Sequence, residues 1–325
     1  MKLVILDGFA ANPGDIDCEA LHALRDAEGQ PVESVVYDRT PPELVAERAG
    51  EAALVLTNKT VLDAAMLEQL PRLRYIGVLA TGYNVVDVAE ARRRGIVVTN
   101  IPAYSTDSVA QMVFAHLLHI TQHVGDHSRA VHAGRWQQAD DFCFWDYPLI
   151  ELSGLTMGIV GLGHTGQATA RIARAFGMHV LAWSSKDAET LDALGIRKAE
   201  SLEQLFREAD VLSLHCPLTP ETHHLVRRET LAWMKPSAIL INTGRGPLVC
   251  EQDLADALRN GRLYAAGVDV LTEEPPRQGS PLIGLANCSI TPHVAWAPRQ
   301  ARQRLWQVTF GNLEAFLAGR PVNQV

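Results

Sequence analysis

Arginine, carboxylates and histidine stand in the second half of this chain where strand-like runs stop. "ILINTGRGP" sets Arg245 between two glycines, "GVDVLTEEPP" brings Asp269, Glu273 and Glu274, and "CSITPHVAW" places His293 after a proline. A guanidinium is a planar fork that matches a carboxylate. Imidazole titrates near neutrality, and a carboxylate beside it favours the imidazolium. Hydride addition to a ketone leaves an alkoxide, and protonating it calls for an acid of about that strength. A site for a hydride carrier is also legible. "GIVGLGHTGQATARIARAFG" spaces Gly161, Gly163 and Gly166 as G-x-G-x-x-G, after an apolar run and at the start of a helical pattern. The first glycine allows a tight turn, the second lets backbone approach a pyrophosphate, and the third brings helix against strand. Amides at the helix N-terminus then meet the phosphate charge. His164 and Thr165 fall inside this loop, though the geometry does not demand a histidine there.

These groups meet only if their strands run parallel, because ligands of open α/β sheets bind outside the carboxyl ends of the strands. The chain has the matching pattern. "KLVILD", "VESVVYD", "AALVLTN", "LRYIGVLAT" and "GIVVTN" alternate with helical stretches over the first hundred residues. A second series follows from Leu155: "LTMGIV", "HVLAW", "VLSLHCP", "AILINTG", "YAAGVDV" and "CSITPH". Strand-helix alternation means parallel sheets with right-handed crossovers. Between the series lie one long helical pattern, "TDSVAQMVFAHLLHITQHV", and an aromatic-rich stretch without clear period, "AGRWQQADDFCFWDYPLI". The chain closes on an amphipathic helix, "RQARQRLWQVTFGNLEAFLAG", which could pack back onto the first unit and make it discontinuous. The expected fold is α/β, with two Rossmann-like or flavodoxin-like parallel-sheet domains and an active-site cleft between them.

Composition narrows the class. A chain of 325 residues is long for one core, and 47% hydrophobic content is ample for two. A net charge of −8 without a long basic run argues against a nucleic-acid surface. Cys18, Cys143, Cys216, Cys250 and Cys288 are scattered and form no C-x-x-C, which reads as reduced thiols in a cytosolic protein. There is neither a signal-peptide pattern nor an apolar run long enough to span a membrane, so a soluble, cytoplasmic protein is expected.

The glycine loop, "NTGRG", "DVLTEEPP" and "TPH", in this order and at these intervals, resemble the D-isomer-specific 2-hydroxyacid dehydrogenases. "PAYSTDSVAQ", "DFCFWDYPLIELSG" and "TPHVAWAP" are most similar to the glycerate dehydrogenase/hydroxypyruvate reductase branch. The resemblance covers essentially the whole chain. It implies a catalytic domain from residues 1–99 and 289–325 and a nucleotide domain from 100–288 inserted into it, closing on each other about hinges near Thr99–Pro102 and Ser289–Pro292. It implies that Arg245 holds the substrate carboxylate and carbonyl, that His293 is the acid/base, and that Glu274 is its partner. Glu273 is read as an exposed neighbour. Thr81 and Gly82 of "VLATGYNVVD" would face the substrate, and Lys59 is read as a substrate contact or an ordinary surface lysine. Ser108 is expected close to the cofactor, and Asp269 near its nicotinamide end. The reaction implied is NAD(P)H-dependent reduction of hydroxypyruvate or glyoxylate to a D-2-hydroxy acid. A D-lactate-type or other 2-ketoacid dehydrogenase is an alternative, as is a non-catalytic dinucleotide-binding regulator, against which the complete Arg245, Glu274 and His293 set argues. The chain stops soon after its last helix, so no appended regulatory domain is expected.

Three features qualify this picture. The carboxylate that normally meets the ribose of NAD, about twenty residues past the glycine loop, is missing from the end of "HVLAW". Ser184, Ser185 and Lys186 stand there instead, and no carboxylate comes before Asp187. Hydroxyls and an ammonium suit a 2′-phosphate, so NADP is expected to be preferred, with NAD usable. His116, His119, His123 and His127 share one broad helical face but lack an H-E-x-x-H arrangement or a carboxylate ligand. They are read as an interface or solvated set, with no metal. Trp136, Phe142, Phe144 and Trp145 form a patch suited to a two-fold homodimer interface.

Overall fold

Runs of Val, Ile and Leu that leave no polar face are strands buried on both sides, and here they build two parallel sheets. A computed structural model describes residues 1–325. The chain divides into two compact units, Met1–Ser105 with Trp296–Val325, and Thr106–Ala295. In the first unit β1 (Lys2–Ile5), β2 (Glu33–Val36), β3 (Leu54–Thr57), β4 (Tyr75–Val78) and β5 (Val97–Thr99) make an all-parallel sheet in the order β2-β1-β3-β4-β5. That is the flavodoxin-like order. Alternate side chains serve opposite cores, as the two-residue strand period requires. Leu3 and Ile5 pack with Leu54, Leu56 and Tyr75 on one face, and Val4 and Leu6 with Val55, Ile76 and Val78 on the other.

The second unit holds β6 (Thr156–Val160), β7 (His179–Trp183), β8 (Arg197–Lys198), β9 (Val211–Leu214), β10 (Ile239–Asn242), β11 (Ala265–Val268) and β12 (Cys288–Ile290). Their order is β12-β11-β10-β9-β6-β7-β8, parallel throughout. Strand order reverses between β6 and β9, the switch point at which doubly wound sheets bind dinucleotides. All eleven strand runs read from the sequence are present. The twelfth, β8, is two charged residues at the sheet edge, too short to show a period.

The unit boundaries differ from those expected. The units divide at 105/106 and 295/296, not at 99/100 and 288/289. A boundary after 288 would cut β12, which pairs with β11 through Ala266↔Cys288 and Val268↔Ile290. At the other crossing, the Ile101 amide donates to Ala80 O at 3.0 Å, and Tyr104 lies in the core of the first unit. The long helical pattern is the helix Thr106–Gln122, and a second helix, Val124–His132, follows where His123 turns left-handed at φ 47°. No helix is long and apolar enough to cross a membrane.

The closing helix, Arg299–Leu317, completes the first unit: Ala301, Leu305, Trp306 and Leu313 join the core that contains Leu3, Ile5 and Tyr75. A forked ion pair fastens it, with Arg302 Nη1 and Nη2 donating to Asp15 Oδ1 and Oδ2 at 2.6 and 2.7 Å. The Arg302 hydrogen bond holds the Asp15 pKa below its ordinary 3.8. A carboxyl depressed on folding stabilises fully above its unfolded value, and that share is lost as the pH falls through the folded one. Asp15→Asn is therefore expected to lower the melting temperature at neutral pH. The gap to wild type should close as the pH drops below 3.8, which thermal melts across an acid series would measure.

Candidate active site

At the switch point, β6 ends at Val160 and the chain turns through Gly161 at φ +90°. Gly163 is the N-cap of the helix His164–Ala175 and carries no side-chain cap. Nothing lies within 4 Å of where a Cβ on Gly163 would stand, so the space beside the start of the helix is open. Gly166 is needed for the opposite reason: its Cβ would stand 2.2 Å from Gly161 O. Among the other loop residues, His164 is exposed and Thr165 half-buried. A cavity of about 670 Å³ lies over this turn and is bounded on its far side by Ser184, Ser185 and Lys186. An uncapped helix terminus and an open glycine cradle fit a pyrophosphate, and the cavity brings the loop and the turn after β7 together as the sequence implied.

That turn is held from within. Lys186 N donates to Ser184 Oγ at 3.2 Å, and Lys198 Nζ to Lys186 O at 2.7 Å. Asp187 is engaged elsewhere. Its carboxylate accepts the Thr190 amide at 2.7 Å and caps the helix Ala188–Ala193, and this bond lowers its pKa. The sequence reading missed the wall after β9, where His215, Cys216 and Thr222 line the same cavity. The signal was available, since "VLSLHCP" ends the strand across the switch point from the glycine loop. His215 Nε2 lies 2.9 Å from Ser213 Oγ, and burial pushes its pKa down to about 4, so the ring is neutral. Burial raises the Cys216 thiol, which stays protonated.

The three charged groups come from the ends of β10, β11 and β12. After β10, Asn242 closes the loop: its Nδ2 donates to Arg245 O at 2.8 Å and its Oδ1 accepts the Gly244 amide at 3.1 Å. Arg245 is exposed, with Nη1 donating to Gly244 O at 2.8 Å. A Cβ on Gly246 would stand 2.0 Å from Leu271 O and 2.5 Å from Thr272 N, so only glycine lets the arginine loop lie against the chain leaving β11. In that chain Glu274 accepts the Leu271 amide at Oε1 (3.0 Å), and its Oε2 lies 2.6 Å from His293 Nδ1. Glu273 is exposed. His293 sits at φ 53°, with its amide donating to Asp269 O at 2.7 Å.

Asp269 has 0% of its surface exposed. Its Oδ1 accepts Thr291 Oγ1 at 2.5 Å and the Val294 amide at 2.9 Å, and its Oδ2 accepts the Ala295 amide at 2.8 Å. Its carboxyl thus lies under the His293 loop and not on an open surface. The histidine stripe is corrected as well. His119 is exposed, but His116 is buried and bonded to Ser289 and Thr291, neither solvated nor at an interface. His123 stacks on Tyr147 with ring centroids 4.2 Å apart. Ser108, on the first turn of the helix Thr106–Gln122, is half-buried.

In the first unit Lys59 and Thr81 are exposed and Gly82 half-buried. Thr81 Oγ1 donates to Ile101 O at 2.7 Å. Asp7, at the end of "KLVILD" and unremarked in the sequence, accepts the amides of Asn58, Lys59 and Thr60 at 2.7, 2.6 and 2.8 Å and so fixes the backbone of Lys59.

The chain resembles known proteins over its whole length. Residues 114–295 match the family model for the D-isomer specific 2-hydroxyacid dehydrogenase, NAD binding domain. The chain is 50% identical over 328 aligned positions to a hydroxypyruvate reductase of Blautia hydrogenotrophica, covering 100% of this chain and 99% of that protein. It is 40% identical over 313 positions to a glycerate dehydrogenase of Methylorubrum extorquens, covering 95% and 97%. Among solved structures, an NADPH-dependent glyoxylate/hydroxypyruvate reductase of Sinorhizobium meliloti, in complex with NADP and malonate, aligns with a TM-score of 0.82. Its identity is 29%, over 100% of this chain and 96% of that one.

The Gly246 contact generates a test. Gly246→Ala must push the Arg245 loop off the Leu271–Thr272 backbone, a strain of roughly 1–3 kcal/mol. The melting temperature and turnover should both fall, while dinucleotide affinity, measured by titration, is unchanged because the glycine loop follows a different strand.

Proposed function

This chain belongs to the D-isomer-specific 2-hydroxyacid dehydrogenases, oxidoreductases with a nicotinamide dinucleotide cofactor, and on that premise we propose that it reduces hydroxypyruvate and glyoxylate to D-glycerate and glycolate. The observation that carries the proposal is the 2.6 Å contact between His293 Nδ1 and Glu274 Oε2, in a chain segment packed directly against the Arg245 loop. Arg245 binds the carboxylate and the carbonyl oxygen of the keto acid, and its fork fixes their plane. The dinucleotide, when bound, supplies the hydride. With Nδ1 turned to Glu274, His293 offers Nε2 to the substrate and gives its proton to the oxygen that becomes the hydroxyl. Glu274 steadies the imidazolium before that transfer, and solvent restores the proton afterwards. On the family resemblance, Lys59, Thr81 and Gly82 are proposed substrate contacts, and Ser108 and Asp269 are proposed to lie near the nicotinamide. Phe142, 89% exposed, together with Trp136 and Trp145, supports a homodimer built on this patch. Five free cysteines fit a cytoplasmic location.

His293→Ala is expected to depress turnover by roughly 10²–10⁴-fold and to leave dinucleotide binding intact. In Glu274→Gln, turnover should fall while dinucleotide binding survives, because the imidazolium has lost its charge partner. Measuring kcat/KM on hydroxypyruvate checks both, and an unchanged value in Glu274→Gln removes Glu274 from the mechanism.

The cofactor is proposed to be NADPH in preference to NADH. With Asp187 spent on capping, Ser184 and Lys186 are the groups left to meet a ribose substituent, and an ammonium favours a phosphate. Assaying kcat/KM with each reduced cofactor, on hydroxypyruvate, glyoxylate and other 2-keto acids, should give the higher value with NADPH. The double variant Ser184→Asp with Lys186→Ala should swing toward NADH. A wild-type preference for NADH would sink the reading.

A further inference from the structure

Beneath the loop that carries His293 lies a second histidine with no part in the reaction described above. His116, on the helix Thr106–Gln122, is 2% exposed. The strand facing it has glycine at the point of contact: a Cβ on Gly267 would stand 2.7 Å from His116 Cβ and 2.9 Å from its Cγ. Both ring nitrogens are engaged, Nδ1 at 2.9 Å from Ser289 Oγ and Nε2 at 3.0 Å from Thr291 Oγ1. Thr291 Oγ1 donates to Asp269 Oδ1 at 2.5 Å, and the same carboxyl receives the amides of Val294 and Ala295, the residues that follow His293.

The direction of this chain of hydrogen bonds follows from its proton count. A hydroxyl has one proton, and Thr291 gives its proton to Asp269. The proton between Thr291 and His116 therefore sits on Nε2. Burial lowers the His116 pKa below its ordinary 6.5, against an opposing pull from Asp269 and with a small push from His119, so the ring is neutral. Nδ1 is then bare and accepts the Ser289 hydroxyl.

We propose that His116 is a positioning residue for the reduction. Held as the Nε2–H tautomer, it orients the Thr291 hydroxyl toward Asp269 and thereby fixes the backbone that presents His293. The proposal rests on the reading of His293 as proton donor. Without the Nε2–H, Thr291 Oγ1 loses the donor that sets its rotamer, the Asp269 carboxyl loses its shortest partner, and the loop at φ 53° relaxes.

Two amide replacements separate the two contacts. A glutamine side-chain nitrogen stands about where Nε2 does and can donate to Thr291; an asparagine amide stands about where Nδ1 does and cannot reach it. His116→Asn is expected to lose about 10- to 100-fold in kcat, the scale of a misplaced catalytic group, with substrate KM and dinucleotide Kd unchanged. His116→Gln should recover most of that loss. Amide hydrogen exchange at Val294 and Ala295, measured on the protein without substrate or dinucleotide, should quicken in His116→Asn and stay near wild type in His116→Gln. Equal losses in the two variants, no loss in either, or a glutamine variant that fails to fold would each overturn the proposal and leave His116 as core filling. A parallel His293→Ala variant keeps the two ideas apart. Wild-type turnover there would end the reading of His293, while exchange at Val294 and Ala295 would still report on His116.

Discussion

A carboxyl group with no exposed surface ties together the strand ends that bear the charged groups. Asp269 follows β11, donates its amide to Asn242 O at the end of β10, and accepts three hydrogen bonds from the segment after β12. A carboxyl buried without partners costs several kcal/mol, so each of those donors has to be where it is. Asn242 then arranges the Arg245 loop with its own side chain, and the Asp269 carbonyl holds the His293 amide. Arginine and histidine therefore belong to one hydrogen-bonded frame.

The cavity over the glycine loop follows a different rule. Its polar wall avoids negative charge in a protein whose net charge is −8. His215 is held neutral by burial, Cys216 remains a thiol, and the carboxylate that follows the Ser184–Lys186 turn, Asp187, is folded into a helix cap. The uncapped helix start at Gly163 and the ammonium of Lys186 set the sign of the cavity. An anionic ligand is favoured as much by the carboxylates withdrawn from the wall as by the donors placed on it.

Much of this was legible in the sequence because it rests on local pattern. Doubly buried strands are uninterrupted apolar runs, and Gly161, Gly163 and Gly166 have a spacing set by backbone geometry. Arg245, Glu274 and His293 stand out because strand ends in a parallel sheet share one edge. What escaped depends on contacts between distant segments. Gly246 looks like any loop glycine until the Leu271 backbone arrives against it. His116 has the helical spacing of a surface stripe, and only the arrival of Gly267 against it shows that it faces inward. Asp7 is one carboxylate at a strand end, and its three amide partners lie about fifty residues away. Strand β8 is two charged residues with no period to read.

The place of the closing helix has a consequence for how the molecule is made. Leu305, Trp306 and Leu313 complete the core around Leu3, Ile5 and Tyr75, yet they are synthesised only after residues 106–295. Residues 106–295 form a continuous stretch with its own cores and can fold as soon as they emerge. Residues 1–105, though synthesised earlier, leave one face of their sheet without that helix until Trp296–Val325 arrive. In the order of synthesis, the unit started earlier is completed after the one inserted into it.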